Sequence, residues 1–112
     1  MKYKDHMIAT LLILLLAAVL EAGGDALVRH GLRGPSAQRL VWMAAGGLVL
    51  FAYGCAVNTP SWDFGRLLGV YVVFFFVVAQ LISWLIFHQK PSLAVLVGGV
   101  FIVIGGIVIS IA

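Results

Sequence analysis

The 112-residue chain is 63% hydrophobic and 10% charged, with a mean hydropathy of +1.16 and a formal net charge of +3. Ordinary soluble domains are about 45–50% apolar and about 25% charged, so the composition argues strongly against a water-soluble enzyme. No basic patch survives between the apolar runs, which also argues against a nucleic-acid binder.

The first residues, Met1 to His6, are short and basic, as the start of a signal peptide is. The apolar stretch behind them runs past signal length and ends in no small-x-small cleavage site, so it reads as a retained span of about 7–28. Glu21 lies inside it, behind the apolar run Ile8 to Leu20. An ionised carboxylate at the bilayer centre costs about 2.5–3.5 kcal/mol on insertion scales. Such a group must be protonated, paired, or turned to a wet cavity. A cation entering that cavity favours the ionised form, so proton and cation compete for one site. That competition is the physical basis of proton-coupled cation export. Asp25 follows one turn later on the same helix face. Ala17 and Gly24 flank Glu21 on that side and leave room for a ligand or a close helix. Two plainer readings stand beside these. Glu21 is then a structural carboxyl held by another helix, and Asp25 is the partner of Arg29 at the helix end.

Gly31, Gly34 and Pro35 in the connector Arg29–Arg39 are expected to end the first helix. The second span covers about 40–58 and carries Tyr53 and the single Cys55, which can form no internal disulfide. The turn-rich stretch Asn58–Gly65 leads to a third span of about 67–88. Its polar groups are Tyr71, Gln80 and Ser83. Tyr71 suits stacking on a cation or anchoring at the interface. Gln80 suits a cavity wall or a bond to a neighbouring helix. Pro91 is expected at the start of a fourth span of about 92–111. There Gly98 and Gly105, two turns apart, share a face on which helices approach closely, as in an oligomer contact; packing within the chain is the alternative.

Continuous apolar runs and short connectors predict an all-α membrane protein: one domain, 1–112, of four antiparallel-neighbour spans with both termini on one side. Trp42, Trp62 and Trp84 lie near span ends, at headgroup level. The terminal side carries Lys2, Lys4 and Arg66, and the other carries Arg29, Arg33, Arg39 and Lys90. So even a balance predicts insertion in both orientations and antiparallel pairing. A fixed orientation with the Arg29–Arg39 cluster in the cytoplasm is the alternative.

The ordered set resembles the small multidrug resistance family of the drug/metabolite transporter superfamily. It consists of Glu21 with Gly24 and Arg29, then Ser83-Trp84 with Phe87 and Gln89-Lys90, then Gly98 and Gly105. The match covers nearly the whole chain. The resemblance implies an antiparallel homodimer, or a pair with a paralogous subunit, in a bacterial inner membrane. It exports organic cations against protons and has no enzyme activity, prosthetic group or metal. The two Glu21 carboxylates would share the central site, with Gly98 and Gly105 at the dimer contact. Leu68 and Tyr71 fall where the family has an aromatic Tyr–Trp pair, which places both on the cavity wall. Asp25 replaces a neutral small polar residue. These departures favour a smaller, more polar or more highly charged cation, of guanidinium or polyamine type, over a bulky aromatic quaternary ammonium compound. The stretch Gly98 to Ser110 also resembles four-span subunits that flip lipid-linked amino sugars. The alternative function is therefore a flippase half or a non-transporting partner subunit.

Overall fold

The computed structural model describes the backbone of residues 2–111 and the side chains of residues 6–111. Met1, Ala112 and the side chains of Lys2 and Lys4, which enter the charge balance, lie outside the described residues. Four helices carry the fold: α1 (Lys2–Arg33), α2 (Arg39–Val57), α3 (Phe64–Leu85) and α4 (Leu93–Ile111), with a 3-10 turn at Ser36–Gln38 between the first two. All four are long and apolar enough to cross a membrane. At 1.5 Å per residue, helices of 19 and 22 residues are about 29–33 Å long, which matches a hydrocarbon core of about 30 Å.

The helix ends differ from expectation in two places. Gly31 does not stop α1, which continues to Arg33. Its small size is used inside the helix instead, because a Cβ there would lie 2.9 Å from the Trp42 Cβ of α2. The stop comes at Gly34, where Pro35 disfavours helical backbone for the residue before it. Pro91 likewise stands outside α4. Ser92 is the capping residue, its hydroxyl accepting from the Val95 N–H at 3.2 Å.

The helices lie in the order α2–α1–α3–α4, and α1 touches both α2 and α3 while α4 touches α3 alone. The resulting body measures 52 × 33 × 21 Å, only about two helix diameters thick. Close approach of α1 to α2 is made by glycine: a Cβ on Gly46 would lie 2.9 Å from the Gly24 carbonyl oxygen and 3.0 Å from the Val28 nitrogen. In lipid such packing is held by van der Waals contact rather than by exclusion of water. The core is Leu14, Ala17, Ala18 and Ala22 of α1, Val57 of α2, and Leu67, Val70, Tyr71 and Val78 of α3.

Register follows from these contacts. Gly24 meets Leu50 and Gly31 meets Trp42, so α1 and α2 are antiparallel. Gly69, Gly99 and Gly106 meet Ile109, Phe76 and Val73, so α3 and α4 are antiparallel as well. Glu21 meets Tyr71 and Arg29 meets Phe87, so α1 and α3 run parallel. The Arg66 guanidinium at the start of α3 donates to the Ser110 carbonyl at 2.8 Å and lies 4.9 Å from the Trp62 ring centre. A cation on a C-terminal carbonyl also complements the helix dipole of α4.

Candidate functional site

The parallel register of α1 and α3 carries Tyr71 to Glu21. The Tyr71 hydroxyl donates to Glu21 Oε1 at 2.7 Å, with the Ala17 carbonyl oxygen as a second acceptor at 3.3 Å. Tyr71 is seven residues into α3, about 11 Å from its Phe64 end, and Glu21 is eight residues inward of Arg29, about 12 Å along α1. The carboxyl group therefore lies well inside the hydrocarbon layer. Burial explains the hydrogen bond: a phenol or carboxyl left without a partner in hydrocarbon carries its full desolvation cost. Tyr71 is itself buried, 4% exposed, because Ala17, Ala18 and Ala22 are small enough to admit its ring. Its ring centre lies 5.6 Å from that of Tyr53 on α2 and 6.2 Å from that of Phe75, both tilted. Glu21, half-buried, thus sits beside an aromatic wall built from two other helices. The negative faces of such rings favour a cation.

Asp25 is exposed and lines a cavity of about 270 Å³ between α1 and α3. Arg29, Ser83, Gln89, Phe75 and Phe87 share that cavity. Among the described residues no ion pair joins Asp25 to Arg29 within 4.0 Å. Arg29 lies instead over the Phe87 ring, 5.4 Å from its centre. The turn after α3 supplies the outer wall. His88 has φ 56°, in the left-handed region, and the chain there folds back so that the Gln89 N–H reaches the Ser83 carbonyl at 2.9 Å. The Ser83 hydroxyl donates toward the Gln89 carbonyl at 3.3 Å.

The structure thus brings Glu21 and Tyr71 into contact and sets Asp25 one turn away in an adjoining cavity. Ala17, Gly24, Leu68 and Gln80, expected on the wall of the cavity at Glu21, are not among the residues lining the cavity beside Asp25. Ala17 is wholly buried beneath Tyr71. Gly24 is used against α2, where a Cβ would lie 2.8 Å from Leu50 Cγ. Leu68 packs against the core. Gln80 is half-buried, about one turn from the cavity residue Ser83. Gly98 and Gly105 face open space, while their neighbours Gly99 and Gly106 take the intramolecular contact with Phe76 and Val73. Phe75, Ser83, Phe87 and Gln89 are cavity residues that sequence reasoning did not single out as such. The polar residues at 83 and 89 flanking aromatic Phe87 were the available signal.

Comparison with known proteins sets this geometry in a family. The family described as "Uncharacterised BCR, YnfA/UPF0060 family" matches residues 7–112. The UPF0060 membrane protein YfjF of Bacillus subtilis is 36% identical over 107 residues, covering 95% of this chain and 96% of the relative. A UPF0060 membrane protein of Herpetosiphon aurantiacus is 32% identical over 87% of this chain and 88% of its own length. One from Clostridium beijerinckii is 30% identical over 96% of each. No solved structure gives a significant match. The chain belongs to the YnfA/UPF0060 family, and it is a multi-pass membrane protein.

Proposed function

We propose that the chain is a transporter, not an enzyme: a proton-coupled antiporter that exports small organic cations from a bacterial cell through its inner membrane. The observation that carries this reading is Glu21. A carboxyl group inside the hydrocarbon layer is held by one hydroxyl, at 2.7 Å, and is flanked by aromatic rings on two helices. Proton and cation are alternative neutralisers of that group, so release of one accompanies capture of the other. Tyr71 positions the carboxyl and offers its ring, and Asp25 adds negative charge one turn away. The working unit is an antiparallel homodimer. The resemblance to the small multidrug resistance family supports it, as does the outward face of α4 at Gly98 and Gly105, where an added Cβ would meet nothing within 4 Å. Quaternary ammonium, guanidinium and polyamine cations are the cargo class.

The test is uptake of labelled guanidinium and tetraethylammonium into liposomes that are acidic inside. The expected result is uptake that a protonophore collapses and that Glu21→Gln abolishes. Equal uptake by the Glu21→Gln protein, or uptake indifferent to the gradient, contradicts the reading.

A further inference from the structure

The cavity beside Asp25 carries two opposite charges that leave each other alone. Asp25 and Arg29 are spaced four residues apart, where an acid and a base on a helix readily pair. Here the guanidinium is drawn onto the Phe87 ring, and the carboxylate is left facing the same space of about 270 Å³. Gln89 and Ser83 line its outer side and Phe75 its inner wall. That volume is at or below the small end of the range for small-molecule sites, about 300–1,000 Å³. A cavity holding one carboxylate, one guanidinium and aromatic walls is matched by a small molecule that carries both charges.

We infer that this cavity binds a zwitterion, its ammonium at Asp25 and its carboxylate or other anionic group at Arg29, and that cargo of this class reaches Glu21 through it. The inference adds to the cargo class of the antiport reading cations that also carry an anionic group, and it rests on that reading for the onward step to Glu21. The order of charges along α1 sets the direction. Arg29 is outermost, Asp25 lies about 6 Å further in, and Glu21 about 6 Å beyond that. Cargo entering from the Arg29 end therefore goes in ammonium first. A phosphatidylethanolamine headgroup carries the same chemistry, but its phosphate lies deeper than its ammonium, the reverse of this order. The occupant is accordingly a soluble molecule.

The experiment uses the full chain in phosphatidylglycerol nanodiscs, which offer no zwitterionic headgroup. Affinities are measured by calorimetry for 5-aminovalerate and for pentylamine, which lacks the carboxylate. Wild-type protein is expected to bind 5-aminovalerate about tenfold more tightly, as one charge-assisted hydrogen-bonded pair gives. Arg29→Gln is expected to bring the ratio to about one, and Arg29→Lys to keep most of it, which guards against a folding defect. A wild-type ratio of one, or a ratio that Arg29→Gln leaves unchanged, overturns the inference. So does loss of 5-aminovalerate binding in phosphatidylethanolamine nanodiscs, which would assign the cavity to lipid. Proton release is followed in parallel. A tenfold ratio without proton release contradicts antiport and supports the cavity's charge selectivity. Proton release to pentylamine with a ratio of one does the reverse.

Discussion

α1 and α4 are both apolar helices of membrane-spanning length, yet they are used in opposite ways. α1 is packed on two sides, and every intramembrane carboxyl group of the chain is on it. α4 is packed on one side and carries Gly, Val, Ile, Leu, Phe and Ala with a single Ser. A carboxyl group is tolerable in hydrocarbon only where neighbouring helices supply a partner and a path for water. Only the two inner helices of the row, α1 and α3, have neighbours on both flanks. Chemistry therefore concentrates where α1 meets α3, as in the Glu21–Tyr71 contact, and α4 is left as a surface for lipid or a second copy.

The sharpest way to break that contrast is at the glycines. Gly46→Ala is expected to destabilise the protein by about 1–3 kcal/mol, because the new methyl meets backbone atoms of α1 that cannot swing aside. Gly47→Ala, with nothing within 4 Å, is expected to change stability by no more than about 0.5 kcal/mol. Unfolding in mixed dodecylmaltoside and SDS measures both, and equal losses would mean that α1 and α2 are not in close contact.

On α4 the paired test is Gly106→Ala against Gly105→Ala. The first collides with Val73 Cγ2, a side chain that has some freedom to move, and a cost of about 1 kcal/mol is expected. The second is expected to leave the monomer's unfolding unchanged and to weaken self-association, read by cross-linking or by analytical ultracentrifugation in detergent. Loss of monomer stability at both positions would place α4 in a tighter environment than a one-sided contact.

A smaller effect is expected at the site itself. Tyr71→Phe keeps the ring and removes the 2.7 Å hydrogen bond, for a stability loss of about 0.5–1.5 kcal/mol. Because the hydroxyl positions the carboxyl group, the variant should also bind the cation more weakly than wild type when the two are compared across pH. An identical pH profile for the two proteins would remove the hydroxyl from the mechanism.

The four spans were legible because charged and turn-forming residues punctuate the apolar runs clearly. Glu21 was legible for the same reason, as a lone acid behind thirteen apolar or weakly polar positions. Its partner's geometry was not, since the Glu21–Tyr71 contact joins residues fifty apart and depends on the parallel register of α1 and α3. Nor was the face of α4. Gly98 and Gly99 are adjacent, about 100° apart on a helix, and sequence spacing fits either stripe equally well. The cavity wall at Ser83 and Gln89 was hidden by its turn. The chain reverses at His88 with a positive φ and no glycine to announce it. Gly31 misled for the complementary reason: a glycine that reads as a helix stop is there to admit Trp42.

The central claim is that one carboxyl group holds either a proton or the cargo. It is tested most directly by proton release from purified protein in weakly buffered detergent when a cation is added. Wild-type protein should acidify the solution as it binds, with binding that weakens as pH falls, and Glu21→Gln should release nothing. Equal acidification by the two proteins would show that the proton comes from elsewhere and would contradict the shared site.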